Sequence, residues 1–595
     1  MYTRGVKVAS LGWLLVLVGL PARADDTVKP VAAELYLSWR APVALSGTVT
    51  YTIECLAPCR DIELDADDGL WVTSVRVDGN TTPSSRRGRK LVVRSRRDLP
   101  EGRHSVALTF HRTIVRGGIA GHKLPRRRLL LGRFEPQGRR HPFPSFDDLR
   151  WRIPWTITLE AGAGDTLLSN ALVNEIRNEG SRRIARFATT VPLPAHLVAV
   201  AAGRYPVIDR RPAGRNHIPL AVHSTLDWDL SPFAQQAAAS LAAFEDWTGA
   251  PFPGNKLDVV VVEDSNGWLT LETPGLTPVI APFAYQWVYA QVEHMGLVFD
   301  HALVHQWYGV SLLPATWEEA WVNRGIADWY AVRRAAGGDA CPLLREGFLE
   351  RKRPLRGDPW PGDQGSAEFA GPAMWDTGAV FCAIDDWWTV ATGRATALRD
   401  AVRAYALKHA GGQVDTVSFL ASLDASEPGL PTGEVLRTLS TGTVVPVLTY
   451  SRECGEEPKL HLSLRVENAP FEGPFPVVVQ ALGGPPHAIV VRGGRAELAW
   501  PTCDGPVIGD AGGSGAYQVV YQPEDLEALT EPENWRLLSD NQVMSLISAV
   551  EWGVRNGRIV SIERIAARLV RDIRSERIKH AYESLSWALA PEEQR

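Results

Sequence analysis

Two histidines four residues apart, His301 and His305, have a spacing that suggests metal chemistry. Side chains at positions i and i+4 lie on one face of an α-helix, so both imidazoles could reach a single zinc ion. A zinc hydrolase also needs a group that takes a proton from the metal-bound water. Ala302, which follows His301, offers no such group. On spacing alone, two packed or surface histidines are the better interpretation.

The segment that carries these histidines is predicted to combine helices and strands. Helical spacing runs through residues 232–249 and ends at a glycine, and residues 256–264 have the apolar run of a buried strand. Long helical patterns then continue to about residue 440. We therefore predict a mixed α and β domain over residues 207–442.

The flanking segments have different patterns. Residues 25–206 alternate apolar and polar side chains between frequent turn signals, which predicts a β-rich domain. Alternation returns over residues 443–523 and favours a β-sandwich of about seven strands. Residues 524–595 are predicted to be helical, with Ser539 and Gln542 forming a capping box. The predicted fold class is a multidomain α+β protein.

The first 24 residues have the pattern of a secretory signal peptide. Arg4 and Lys7 precede an apolar run, and a small-x-small cleavage site ends at Ala24. Removal of this segment lowers the formal charge of the chain from −5 to about −8, because Arg23 leaves with the other two cations. We expect a periplasmic or secreted protein without a transmembrane anchor after cleavage, and the acidic balance argues against a nucleic-acid partner.

Arginines are concentrated in one strongly basic stretch, residues 123–140. A solvated edge or hairpin is the better interpretation of this stretch. An anionic envelope or glycan partner is the alternative.

The chain contains six cysteines, an even number that predicts disulfides in an exported protein. Six cysteines allow 15 connectivities. Pairing within each predicted domain favours Cys55 with Cys59, Cys341 with Cys382, and Cys454 with Cys503.

Several stretches, in order along the chain, resemble the aminopeptidase N family of gluzincin zinc metallopeptidases. His301 opens HALVHQWYG, and AWVNRGIA occupies residues 320–327. The other stretches are RRHPFPSFDDLRWRIPWTITL at 139–159, TTVPLPAHLVAVAAGRY at 189–205 and GDAGGSGAYQVVYQ at 509–522. The resemblance implies a β-rich N-terminal domain, a thermolysin-like middle domain, a β-sandwich and a helical C-terminal domain. That helical domain would be truncated here, since only about 70 residues follow the sandwich.

The same resemblance indicates that the family's catalytic groups are substituted. The general base of H-E-x-x-H falls on Ala302, and the third zinc ligand, 19 residues after His305, falls on Arg324. The tyrosine that would stabilise the oxyanion falls on Trp375. Arginine has five donors and no acceptor, so it cannot ligate a cation.

The magnitude of these losses differs between positions. Loss of a positioned base costs about 10²- to 10⁴-fold in rate. A unit charge about 4 Å from a divalent cation repels it by roughly 8 kcal/mol at an effective dielectric constant of about 20. That repulsion would offset most of the roughly 10 to 16 kcal/mol that binds a structural zinc ion. We therefore expect no bound cofactor, with zinc as the alternative.

Two acidic residues complete the candidate site. Glu272, in LTLETPGL at 269–276, falls on the glutamate that holds the free α-amine of a substrate in the family, where it lies on a strand. Asp328 is predicted to pair with Arg324 at i, i+4. Orientation of a histidine or replacement of the lost zinc ligand is the alternative for Asp328.

These features predict an exported pseudopeptidase, which keeps the family's fold and binds peptides or acts as a scaffold without zinc-dependent hydrolysis. Its expected partners are peptide or protein amino termini, or an envelope protein. An active metalloaminopeptidase with a ligand set drawn from His301, His305 and Asp328 is one alternative. A structural subunit of an envelope assembly is the other.

Overall fold

The structure is a computed structural model that describes most of the chain between Thr27 and Asn556. The described residues are 27–40, 44–66, 69–113, 123–124, 127–131, 143–224, 226–262, 270, 272–281, 284, 296–334, 341–349, 376–442, 444–466, 469–501, 503–556 and 578–579. The predicted signal peptide and Trp375 lie outside these residues.

The N-terminal part of the chain is rich in β-structure, as predicted. Its main sheet has eight strands in the order β13-β14-β11-β1-β2-β8-β4-β5. Along β2, buried and partly exposed residues alternate without interruption, because successive side chains point to opposite faces of a sheet. The strands of this part are β1 (Val28–Arg40), β2 (Ala44–Cys55), β3 (Cys59–Asp65), β4 (Leu70–Val77), β5 (Asn80–Thr81), β6 (Ser84–Arg87), β7 (Lys90–Leu99), β8 (Gly102–Thr113), β9 (Lys123–Leu124), β10 (Arg127–Leu131), β11 (Trp155–Gly162), β12 (Thr166–Ser169), β13 (Val173–Glu179), β14 (Arg182–Phe187) and β15 (Val200–Gly203).

Two smaller sheets accompany the main sheet. One has the order β3-β7-β6, and the other has the order β12-β15-β10-β9. In the second sheet, β9 and β10 pair antiparallel, with Arg127 opposite Leu124. Two described segments of the basic stretch, Lys123–Leu124 and Arg127–Leu131, are therefore paired antiparallel strands, the pairing that a hairpin has.

The middle part begins with a four-stranded sheet in the order β16-β17-β18-β19. Its strands are β16 (Val207–Ala213), β17 (Ile218–Ser224), β18 (Leu257–Val262) and β19 (Leu276–Ile280). Every residue of β18 is buried, as expected for the apolar run at 256–264. The helix predicted at 232–249 is observed as α1 (Ser231–Thr248), and Gly249 ends it in a left-handed conformation.

The helices that follow build the part of the core around the histidines. They are α2 (Gly296–Val304), α3 (Ala320–Arg334), α4 (Cys341–Leu349), α5 (Asp376–Thr392), α6 (Ala397–Lys408), α7 (Thr416–Ser426) and α8 (Thr432–Thr441), with short 3₁₀ turns at Ala195–Leu197 and Trp317–Glu319. The short strands β20 (Leu313–Pro314) and β21 (Gln413–Val414) pair parallel between them. Two glycines let α3 and α5 approach closely: a Cβ on Gly325 would lie 2.5 Å from Phe381, and one on Gly378 would lie 2.3 Å from the Cβ of Asp328.

Strands return after α8 and form two sheets. The sheet with the order β24-β23-β22-β29 also includes β27, which pairs with β23, and the second sheet has the order β26-β25-β28. Helices end the described chain, and Ser539 and Gln542 form the predicted capping box on the last of them. These elements are β22 (Val447–Glu453), β23 (Lys459–Val466), β24 (Ala469–Pro470), β25 (Phe475–Ala481), β26 (Pro486–Val491), β27 (Arg495–Ala499), β28 (Val507–Ile508), β29 (Gln518–Val519), α9 (Pro523–Leu529), α10 (Pro532–Trp535) and α11 (Asp540–Arg555).

The three predicted disulfides are all present, and they join Cys55 to Cys59, Cys341 to Cys382, and Cys454 to Cys503. Within the described residues, no helix has both the length and the apolar character that a membrane crossing requires. The prediction of mixed α and β structure with a β-rich N-terminal region and a helical C-terminal portion is confirmed. The exact bounds of the domains stay predictions.

Candidate functional site

His301 and His305 lie together at the end of α2. The backbone N–H of His305 donates to the carbonyl of His301 at 3.2 Å, which continues the helical hydrogen-bond pattern past the last residue of α2. The two ring centroids are 4.6 Å apart, and both side chains are buried. The structure therefore places both imidazoles on one helix face, as the spacing predicts.

The Nδ1 atoms of the two rings face hydrogen-bond acceptors. His305 Nδ1 lies 2.7 Å from the carbonyl oxygen of Tyr308, and His301 Nδ1 lies 2.6 Å from Asp328 Oδ1. A carbonyl or carboxylate oxygen can only accept, so the proton in each contact belongs to Nδ1. Oxygen acceptors that bond Nδ1 in this way hold metal-binding histidines with Nε2 directed at the ion.

Glu272 lies where the two Nε2 atoms converge. Its Oε1 is 3.0 Å from His301 Nε2, and its Oε2 is 3.4 Å from His305 Nε2. About 28% of its side chain is exposed to solvent. The sequence analysis assigned Glu272 to substrate binding and did not foresee its contact with both imidazoles.

The local structure around Glu272 differs from the family pattern. Glu272 lies outside any strand, two residues after an isolated bridge between Thr270 and Val279 and just before a turn at 274–275 that leads into β19. The strand predicted for this position from the family resemblance is therefore wrong at Glu272 itself. A turn places the carboxylate at the edge of the sheet, where it can reach α2.

The two histidines have opposite pKa shifts. Burial lowers the pKa of His301, but the carboxylates of Asp328 and Glu272 outweigh burial and raise it to about 9. Burial dominates for His305 and lowers its pKa to about 4. Burial raises the pKa of Glu272, yet His305, His301 and Arg324 together lower it well below its usual range. At neutral pH the site therefore contains a carboxylate, an imidazolium and a neutral imidazole.

These protonation states leave one contact without a proton. His301 Nε2–H donates to Glu272 Oε1, whereas the unprotonated Nε2 of His305 and the Oε2 of Glu272 both carry lone pairs. The Nε2 of His305 is buried and makes no hydrogen bond within the described part of the chain. Glu272, His301 and His305 also offer ligand atoms that all lie within 4.8 Å of one another. Two imidazoles and a carboxylate are a usual zinc donor set, so the residues present fit a divalent cation once His301 Nε2 gives up its proton, because a metal-binding histidine must be neutral.

The positions that the resemblance assigns to catalysis lack the required groups. Ala302 is completely buried beside His301 and has no acceptor. Arg324 is half-buried on α3, and its positive charge is among those that act on Glu272. The catalytic roles assigned to these two positions stay predictions from the resemblance.

Asp328 has a different environment from the predicted ion pair with Arg324. Its carboxylate is completely buried, with Oδ1 beside His301 and Oδ2 accepting a hydrogen bond from Thr377 Oγ1 at 3.2 Å. It therefore orients His301 from the Nδ1 side, which was the less favoured interpretation. It does not join the atoms that converge on the Nε2 side, where Glu272 lies.

Sequence reasoning missed Tyr308, Gly309 and Thr377 as parts of the site. Gly309 has a φ of +143°, and a Cβ there would lie 2.7 Å from His305 Nδ1. This glycine allows the chain to turn so that the carbonyl of Tyr308 reaches the ring. Its place four residues after His305 was the only signal in the sequence, because a carbonyl contact leaves no trace in residue type.

Comparison with known proteins identifies relatives of the segment that contains His301 and His305. Residues 233–340 match the peptidase family M1 domain. Aminopeptidase M1-A of Oryza sativa subsp. japonica is 23% identical over 311 residues, which cover 48% of this chain and 35% of the relative. Aminopeptidase M1 of Arabidopsis thaliana is 25% identical over 308 residues, or 48% of this chain and 34% of the relative.

A mammalian relative extends the comparison. Glutamyl aminopeptidase of Mus musculus is 22% identical over 343 residues, which cover 53% of this chain and 35% of the relative. The chain thus spans about a third of the length of each of these three relatives. The segment that carries His301 and His305 is thus similar to the peptidase family M1 domain, and these similarities support membership of the aminopeptidase N family.

Proposed function

We propose that this protein binds peptide amino termini at Glu272 and does not hydrolyse them. The observation that carries the proposal is the completely buried methyl group of Ala302 at the position of the general base. Without an acceptor there, no side chain at this position takes a proton from an attacking water.

The state of Glu272 supports amine binding. Its carboxylate is ionised at neutral pH because the neighbouring positive charges keep its pKa low, and about 28% of the side chain remains exposed. An incoming α-ammonium group would meet an oriented, negatively charged acceptor, and hydrogen bonds to charged groups contribute about 1.5 to 3 kcal/mol.

A zinc ion would be held by His301, His305 and Glu272. When bound, such an ion polarises a carbonyl and lowers the pKa of its water. Asp328 and the carbonyl of Tyr308 would keep the two rings oriented. The residue at 302 would still accept no proton from that water.

The experiment uses the purified, full-length protein. We expect a peptide with a free amino terminus to bind, its N-acetylated counterpart to bind much more weakly, and Glu272→Gln to remove the difference. Calorimetry measures both affinities, and chromogenic amino-acid amides report hydrolysis. Equal binding of both peptides would refute amine recognition, and zinc-dependent turnover by the wild type would refute the loss of catalysis.

A second candidate is a weakly active metallopeptidase with a rearranged ligand set. The convergence of His301, His305 and Glu272 within 4.8 Å favours it, and Glu272 replaces Asp328 as the third ligand. This candidate predicts that Glu272→Ala abolishes zinc binding, while Asp328→Ala weakens it about 10- to 100-fold, as expected for an outer-shell partner. Metal analysis after dialysis measures both.

Export and an envelope partner are further parts of the proposal. The predicted signal peptide and three disulfides support an oxidising compartment. If the protein is instead a structural subunit of an envelope assembly, Glu272→Ala should leave function in the cell unchanged, and substitutions in the basic stretch at 123–140 should impair it.

A further inference from the structure

Glu272 is carried by a turn whose backbone is held from three directions. We call residues 272–275 the Glu272 turn. Buried backbone polar groups are costly when they lack hydrogen bonds, so the groups that satisfy them define the shape of an irregular segment. In the Glu272 turn these groups come from Asn170, Gln306 and Lys256.

Asn170 fixes the middle of the turn to the N-terminal part of the chain. Its Nδ2 donates to the carbonyl of Pro274 at 2.8 Å, and its Oδ1 accepts from the N–H of Ala199 at 2.7 Å. Gly275 has a φ of +70°, and a Cβ there would lie 2.1 Å from the carbonyl oxygen of Asn170. Only glycine fits this close approach.

Gln306 links the turn to the histidines. It follows His305 directly, and its Nε2 donates to the carbonyl of Thr273 at 3.4 Å. Its Oε1 accepts from the N–H of Gly275, also at 3.4 Å. The position of the imidazoles and that of Glu272 are therefore coupled through one buried side chain.

Lys256 supplies the third set of hydrogen bonds that fix the Glu272 turn. Its Nζ donates to the carbonyl of Gly275 at 3.1 Å and to Asp258 Oδ2 at 2.5 Å. The N–H of Asp258 reaches the same Gly275 carbonyl at 3.0 Å, and His223 Nε2 lies 3.4 Å from Asp258 Oδ1. Lys256 is only 4% exposed. A buried ammonium is costly unless it is paired and hydrogen-bonded, and here both partners are present.

We propose that Lys256 is a positioning residue, which holds the Glu272 turn so that the carboxylate of Glu272 faces the two imidazoles. The inference rests on the proposed function of Glu272. Lys256 does not touch the imidazoles or an incoming amine itself. It acts through the Gly275 carbonyl, three residues from Glu272, while Asn170 and Gln306 hold the intervening residues.

The test removes the buried pair as a unit, because Lys256→Met alone would leave the Asp258 carboxylate without its ammonium. In the Lys256→Met/Asp258→Asn double variant, the ring ¹⁵N signals of His301 and His305 are measured in the metal-free protein and compared with those of Glu272→Gln. We expect both variants to shift the same signals in the same direction, and the double variant to bind a free-amine peptide about tenfold more weakly than wild type.

A matched control comes from Arg345, another buried cation that donates to backbone carbonyls and lies beside a buried aspartate, Asp510. Arg345→Met/Asp510→Asn should lower stability and leave the histidine signals as in wild type. Wild-type histidine signals in the Lys256→Met/Asp258→Asn variant would overturn the inference. Because the signals are read without peptide, a failure of peptide binding in the wild-type protein would refute the proposed function separately.

Discussion

Two buried clusters of charge in this protein are built in opposite ways. In the first, Arg345 donates to the carbonyls of Gly515 and Tyr517 at 2.9 and 2.8 Å, and its Nε lies 3.5 Å from Asp510. Asp510 accepts from backbone N–H groups and from Ser545 Oγ at 2.8 Å. The neighbouring backbone satisfies most of this charge, and Asp510 is only 1% exposed.

The second cluster is the site of Glu272, His301 and His305. Here the partners are side chains that face one another, and the carboxylate keeps an exposed edge. Burial raises the pKa of Asp510, whereas cationic neighbours outweigh burial at Glu272 and lower its pKa. The first arrangement is typical of a structural network. The second leaves donor atoms directed at a common point, where a ligand can use them.

The largest expected effect is on the free energy of unfolding, and it distinguishes the carboxylate of Asp510 from that of Glu272. Asp510→Asn replaces one acceptor oxygen by an amide N–H₂ group that faces the backbone N–H groups and the Ser545 hydroxyl bonded to Asp510, so we expect the free energy of unfolding to fall by about 3 kcal/mol. Glu272→Gln, the matched change in the other cluster, should lower it by about 1 kcal/mol or less, because the carboxylate is partly exposed. Urea unfolding measures both values.

The result that contradicts this comparison is the reverse order. If Glu272→Gln destabilises the protein more than Asp510→Asn does, the cluster of Glu272 is a structural ion pair. Peptide binding by Glu272→Gln, measured at the same time, then separates loss of a ligand contact from loss of the fold.

A smaller effect concerns pH. Burial raises the pKa of Asp258, but Lys256 and His223 outweigh it and lower the pKa to about 2, below the usual 3.8. A depressed acid stabilises the folded state above its unfolded pKa, so Asp258 contributes about 2 kcal/mol at neutral pH. That contribution is lost as the pH falls from about 4 to about 2. The stability difference between wild type and Asp258→Asn should therefore shrink in acid.

Asp510 gives the control of opposite sign. Its pKa is raised by burial, so on acidification the wild-type protein should gain stability relative to Asp510→Asn, from the raised folded pKa down to the unfolded value. Urea midpoints across the acidic range measure both differences. If both stability differences, wild type minus Asp258→Asn and wild type minus Asp510→Asn, changed in the same direction with pH, the opposite pKa shifts of the two aspartates would be contradicted.

The smallest effect tests a local contact at the end of the chain's described part. Ser539 caps α11 by accepting from the N–H of Gln542, so Ser539→Ala should cost about 1 kcal/mol of stability. Ser426→Ala is the matched control, since its exposed hydroxyl only bonds the carbonyl of Ser422 within α7, and its effect should stay within about 0.5 kcal/mol. Thermal unfolding compares the two.

Local elements were predictable because their signals lie in adjacent residues. Apolar runs predicted β18, helical spacing followed by a glycine predicted α1, and the capping box predicted the start of α11. The disulfide pairs followed from domain reasoning. The role of Asp328 was less accessible from the sequence. Arg324 on the same helix and His301 on α2 are both possible partners for its carboxylate, and only the packing of α3 against α2 and α5 decides between them.

The sequence by itself determined which groups the site contains: two histidines on one helix face, an alanine where a base is required, and an arginine where a ligand is required. The shared face of the histidines follows from helix geometry, whereas the roles expected at the alanine and the arginine come from the resemblance to the aminopeptidase N family. Only the tertiary structure decided that Glu272 meets both imidazoles. Glu272 and His301 are 29 positions apart, and their contact depends on a turn held by Asn170, Gln306 and Lys256. Such a contact has no local signal, because its energy comes from groups that only the fold brings together.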